Sequence, residues 1–109
     1  MAAACEDKSY EYLVMTDHSK SAFYANGLSV ERLIKQLDEI RDVDQEHGDL
    51  RIFSGIESDI LSNGNLDYED EMLSELEVIV ASVHSNLKMD EAKATTRLIK
   101  AIELSLIHI

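Results

Sequence analysis

Proline and tryptophan are absent from this 109-residue sequence, and glycine occurs only four times. With so few chain breakers, no Pro/Gly/Ser linker divides it, and a single unit of regular helix and strand is expected. Cysteine occurs once, at Cys5, so no internal disulfide can form, and no zinc-finger spacing of Cys and His surrounds it. A reduced thiol in a cytoplasmic protein is the expected reading. Long apolar runs are missing too. The longest, around Val78 to Val83, falls far short of the roughly 20 residues a membrane helix needs, so no membrane partner is expected. Met1 to Ala4 run straight into Glu6, Asp7 and Lys8, which is not the pattern of a secretory leader. Positive charge is scarce, with 10 Lys and Arg against 22 Asp and Glu and a net charge of −12. A protein that grips DNA by its backbone displays a basic stripe that releases counterions, and none is present. By itself this acidic chain is not expected to bind nucleic acid. In a protein that handles DNA, other segments or bound metal have to supply the positive charge.

What the sequence does contain is 45% hydrophobic and 29% charged residues, the balance of an ordinary globular domain. Three short apolar runs read as buried strands. These are Tyr12-Leu13-Val14-Met15, Arg51-Ile52-Phe53 continuing to Ile56, and Val78-Ile79-Val80-Ala81 continuing to Val83. Each is continuous rather than alternating, as expected when both faces of a parallel sheet are covered. Between the first two, Val30, Leu33, Ile34, Leu37, Ile40 and Val43 recur at helical spacing, with Ser29 as N-cap and Gly48 as stop. A shorter helix around Met72, Leu73 and Leu76 precedes the third strand. Another runs from Asp90 to Glu103 on Ala94, Leu98, Ile99, Ala101 and Ile102, and residues 2–8 read as the end of one more. Asn63-Gly64 suits a tight turn. This alternation predicts an α/β protein with a parallel sheet; a doubly wound sheet and part of a barrel both satisfy it. A closed barrel needs at least ~200 residues.

The strand ends carry the chemistry. The first run ends in Thr16-Asp17-His18-Ser19, the second in Gly55-Ile56-Glu57-Ser58-Asp59, and the third in Ser82-Val83-His84-Ser85. Parallel strands finish on one side of their sheet, where α/β enzymes build their sites, so His18, Glu57 and His84 can converge. Imidazole nitrogen with carboxylate suits zinc, manganese or iron better than calcium. Taken singly, each has a blander reading as a surface or hydrogen-bonded side chain.

A wider set of segments resembles a known family. Tyr10-Glu11-Tyr12-Leu13, Thr16-Asp17-His18-Ser19-Lys20-Ser21, Ala25-Asn26-Gly27-Leu28-Ser29 and Glu31-Arg32 are similar to the polymerase and histidinol phosphatase (PHP) domain of bacterial family X DNA polymerases. The likeness continues through Gly55 to Leu61, Gly64-Asn65-Leu66-Asp67-Tyr68 and Ala81 to Ser85, and spans about Tyr10 to Glu103. The resemblance implies part of a distorted seven-stranded (β/α) barrel, with a cluster of divalent metal ions, manganese or zinc, at the strand ends. It further implies that His18 binds one ion, that Glu57 bridges two others, and that His84 completes part of the second site. Asp17 is expected to orient its neighbours; Lys20 is expected to be a solvated surface lysine, with contact to substrate phosphate as the alternative. The implied chemistry is phosphoester hydrolysis, in which an ion activates water and the cluster neutralises developing charge. In family X polymerases that means a 3′-to-5′ exonuclease or end-processing activity in DNA repair, with DNA as the partner of the complete protein.

The same resemblance implies truncation at both ends. Nothing before Tyr10 supplies the family's upstream His-x-His motif, and neither its Gly-His-Pro nor its final Asp-x-His motif follows. The metal cluster of this fragment is therefore expected to be incomplete, and the fragment alone inactive. Residues 1–103 read as a partial PHP domain. The hexapeptide Leu104-Ser105-Leu106-Ile107-His108-Ile109 matches a translated sequencing-library adapter and is expected to be non-native; the alternative is the start of a next strand. His108 is accordingly not expected to be a ligand. Two other functions fit the motifs: a stand-alone PHP phosphatase such as histidinol phosphatase, and a metal-free α/β interaction module. Ser19-Lys20-Ser21 and Ala25 to Ser29 favour the polymerase branch over the first.

Overall fold

The three apolar runs pair as one parallel sheet in the order β1-β2-β3, where β1 is Tyr12–His18, β2 is Arg51–Asp59 and β3 is Val78–Ser82. The computed structural model describes residues 1–104. Around the sheet lie α1 (Ala2–Asp7), a 3-10 turn (Phe23–Ala25), α2 (Val30–Glu46), α3 (Asp70–Leu73) and α4 (Glu91–Glu103). The readings of Ser105 to Ile109, as a non-native tail or a strand, lie outside the described residues. Leu104 is described, and packs half-buried against the core.

Strand alternation divides the sheet into two unlike faces. Ile52, Ser54, Ile56 and Ser58 of β2 point to one side, and their register partners Leu13, Met15, Ile79 and Ala81 follow them. This face is the core. Ile56 and Ile79 pack with Leu28, Leu33, Leu66, Tyr68, Leu73 and Ala101. Ile52 packs with Ala2, Cys5 and Leu50, flanked by Leu13, Met15, Ile40 and Val43. The other face carries Tyr12, Val14, Phe53, Val78 and Val80, and among the described residues no helix covers it; Tyr12 and Val80 are 62% and 46% exposed.

The expected barrel is not formed. The described residues make an open three-stranded sheet in which β1 and β3 are both edges. Adjacent strands rotate by only about 20–25°, so three cannot bring the two edges together, and a parallel barrel closes at about eight strands. The α/β alternation is present; the closure inferred from the family is corrected by the topology.

Local chemistry explains the element boundaries. Ser29 caps α2, its Oγ accepting from the Arg32 N–H at 3.3 Å. The helix ends at Glu46, and His47 at its C-cap meets Glu6 of α1 at 2.7 Å. At the start of β2, Arg51 pairs with Asp44 at 3.0 Å and Glu77 at 2.6 Å. The Ile52 amide donates to Asp44 at 2.7 Å. That amide bond, then the Arg51 charge, holds the Asp44 carboxyl below its ordinary pKa despite some opposing desolvation. After β2 the chain turns through Asn63-Gly64 as expected, with Gly64 at φ +84° and an antiparallel bridge between Ile60 and Leu66. Among the described residues no helix is long and apolar enough to cross a membrane.

Candidate metal centre

Register builds the site. His18 ends β1 directly beside Glu57 of β2, and both lie on the uncovered face of the sheet. His84 follows β3 by two residues and returns over the same spot. Its Nε2 stands 3.1 Å from Glu57 Oε1, and the His18 Nε2 stands 3.6 Å from the same oxygen. The two imidazole rings are 5.7 Å apart, centroid to centroid. One ligand atom from each of the three residues fits within a span of 4.8 Å. Three residues distant in sequence are thus brought together, each partly buried.

Asp59, which the sequence reading did not single out, ties the three strand ends. It is 3% exposed and follows Glu57 by two residues on the same face. Its carboxylate accepts from the His84 N–H at 2.9 Å, the Ser85 hydroxyl at 3.1 Å and the Ser21 hydroxyl at 3.4 Å. Its own N–H donates to Ser19 Oγ at 3.1 Å. The signal was available: a second acid two positions along a strand must share the face of the first. The buried Nδ1 of His84 has no hydrogen-bond partner among the described residues and stands 3.6 Å from Asp59 Oδ1. A carboxylate behind the far nitrogen of an imidazole is the usual support of a metal-binding histidine.

Arg97 of α4 was missed as well. It is 3% exposed, and its oxygen partners are all main-chain carbonyls: Ile60, Leu61, Ser85 and Asn86. The guanidinium therefore joins the segment leaving β2 to the segment leaving His84. A charged residue in the Ala94-Arg97-Ala101 stripe of an amphipathic helix was the visible clue.

Two sequence candidates lie apart from the centre. Asp17 points to the opposite face of the sheet from His18 and accepts a hydrogen bond from the Gln36 side chain of α2, so it orients nothing in the triad. Lys20 is exposed, with its ammonium 5.6 Å from the Tyr68 ring centroid. An apolar groove of about 230 Å³ between Leu13, Met15, Ile40, Val43 and Ile52 also lies across the sheet from the triad. Its lining adds only Gln36 and Glu39 as polar side chains and holds no histidine or cysteine, so the metal-capable set belongs to the strand ends.

The donor set fits a divalent ion. Two imidazole nitrogens and one carboxylate oxygen, close together and supported from behind by Asp59, are ligands that manganese, iron and zinc accept readily.

No family model matches the chain. It is 43% identical over 102 residues to the DNA polymerase/3′-5′ exonuclease PolX of Bacillus subtilis (strain 168), a match that takes in 94% of this chain. The chain is a PolX-related segment. It spans 18% of the length of that PolX protein. The match to PolX is wide enough that it necessarily runs through His18, Glu57 and His84, so the candidate centre lies within the part shared with PolX.

Proposed function

We propose that the chain belongs to a metal-dependent phosphoesterase of the PHP type, which in the complete PolX-like protein trims DNA 3′ ends during repair. The observation that supports this most is the convergence of His18, Glu57 and His84 at the ends of three parallel strands. In this reading His18 would hold one ion, Glu57 would serve two others, and His84 would contribute to the second site, with manganese or zinc as the metal. When bound, such ions supply Lewis-acid stabilisation of charge on the phosphoryl group and make water acidic enough to act as a nucleophile at neutral pH. The chain's own part is to hold donors in place. Asp59 fixes the backbone of His84, and the lateral hydrogen bonds of Ser19 and Ser21 fix the segment after β1. In a chain of net charge −12, the ions also provide the positive charge that a phosphodiester requires. Similarity to PolX favours this reading over a stand-alone phosphatase acting on a small phosphomonoester.

The test uses the complete reading frame. Manganese-dependent release of nucleotides from a 3′ end is expected to fall to background in His18→Ala, Glu57→Gln and His84→Ala, with unchanged circular dichroism. Full exonuclease activity in Glu57→Gln would contradict the assignment, because a bridging carboxylate serves two ions.

A further inference from the structure

The turn after β1 displays two large aromatic side chains that nothing in the fold employs. Phe23 and Tyr24 are 88% and 73% exposed. Single exposed apolar residues are ordinary, but these two are adjacent, rigidly held and beside the candidate metal centre. The Tyr24 ring lies 6.2 Å from that of His18, edge to face.

The turn is built to stay where it is. Ala22 N–H donates to Ser19 at 3.1 Å, Gly27 N–H to Ala22 at 3.0 Å and Leu28 N–H to His18 at 2.9 Å. The Ser21 amide donates to the buried Asp67 at 2.7 Å. Arg32 reaches back to the Asn26 and Gly27 carbonyls at 3.4 Å. Gly27 passes so close to β1 that an added Cβ would stand 1.8 Å from the Ser19 oxygen.

We propose that Phe23 and Tyr24 form a stacking platform for the terminal bases of a single DNA strand whose scissile phosphodiester lies at His18, Glu57 and His84. The inference rests on the nuclease reading above and adds how that site holds its substrate. Three observations carry it. The platform is contiguous with the centre through Tyr24 and His18, so a base on it leaves its phosphate at the triad. The chain has no basic stripe, so substrate affinity here cannot come mainly from counterion release; stacking on π faces operates without it. Stacking is also indifferent to base identity, as removal of successive nucleotides requires. The surroundings fit a flat base better than a protein partner: Lys20, Ser21, Ala25 and Asn26 are polar or small, leaving no continuous apolar patch. A preorganised turn avoids the ordering cost that a mobile loop incurs on binding.

The experiment takes the complete PolX-like protein in EDTA with a short oligothymidylate bearing 5-iodouracil at its 3′ end, irradiates it, and maps the adducts that fall within this segment by mass spectrometry. Adducts are expected on Phe23 and Tyr24. They should be lost in the double variant Phe23→Leu/Tyr24→Leu, which keeps apolar bulk without π faces, and retained in Tyr24→Trp. In the complete protein, Tyr24→Leu should raise KM for single-stranded DNA by about 5- to 140-fold, the range of one lost base stack, with little change in kcat. Absence of adducts in the segment, adducts elsewhere within it, or adducts unchanged in the double leucine variant would overturn the platform. Because EDTA removes metal, a failure of the nuclease reading would appear only in the manganese assay and leave the cross-links in place.

Discussion

Arg97 shows how much one side chain decides here. Burying a guanidinium without a carboxylate is costly, and the chain offsets that cost by directing its donors to the carbonyls of Ile60, Leu61, Ser85 and Asn86. Replacing it with methionine removes the buried charge but leaves the carbonyl of the buried Ile60 without this donor and unties the segment after His84, for a loss of roughly 1–3 kcal/mol. Domains of ordinary stability hold about 5–15 kcal/mol in total, and a chain this short sits at the low end. Arg97→Met is therefore expected to lower the thermal melting midpoint read by circular dichroism, and Arg97→Lys to recover only part of the loss. Tyr68 provides a pH signature. Burial, then the neighbouring Asp67 charge, pushes its phenol from the ordinary 10.0 up to about 12, and its hydroxyl donates to the Leu28 carbonyl. The folded chain thus holds this proton more tightly than the unfolded one. Its contribution is complete below pH 10 and is lost as pH rises through about 12. Absorbance at 295 nm should show a late phenolate step, absent in Tyr68→Phe, and stability should fall across the same interval. At this scale the sequence offered His18, Glu57 and His84 as candidates because metal chemistry restricts ligand types, and the fold brings the three together. Asp59 and Arg97 were obscured, since their roles consist of bonds to backbone atoms that only the fold brings near.

Element boundaries were largely legible, because capping is local chemistry. Ser29 caps α2, and Asp90 caps α4 by accepting from the Lys93 N–H at 2.8 Å. Ser29→Ala and Asp90→Ala should each cost about 1 kcal/mol, read as a lower urea midpoint with unchanged slope. Which helix face is buried was less legible. In α2 only Leu33 is fully buried, whereas Ile34 is 49% exposed. In α4 three members of the predicted apolar stripe are turned outward, with Leu98, Ile99 and Ile102 44%, 49% and 59% exposed, while a fourth, Ala101, faces the core together with Arg97. Periodicity identifies an amphipathic helix; the rotation it adopts depends on the neighbours available, and here small Ala101 and long Arg97 meet the segment between β2 and α3.

For the whole molecule, the open sheet has consequences of its own. Among the described residues the two sheet edges have no strand partner, and no helix covers the face bearing Tyr12, Val14, Phe53, Val78 and Val80. Such edges invite pairing with other chains. The purified 109-residue chain is expected to associate in a concentration-dependent way by analytical ultracentrifugation, and Val80→Lys on edge strand β3 should reduce it. A strictly monomeric chain at high concentration would show that the edges are better protected than their geometry suggests. The same chain is expected to show no nuclease activity with manganese, since the triad alone leaves ions short of ligands. The sequence by itself determined the parallel α/β alternation, the strand positions and the three metal-capable residues. Each of these is written in local periodicity, in turn residues or in ligand chemistry. Only the tertiary structure decided that the sheet stays open, that one face is bare, that Asp17 turns away, and that Asp59 and Arg97 bind the strand ends together. Those outcomes depend on register, twist and the satisfaction of buried polar groups, and such pairings join residues far apart along the chain.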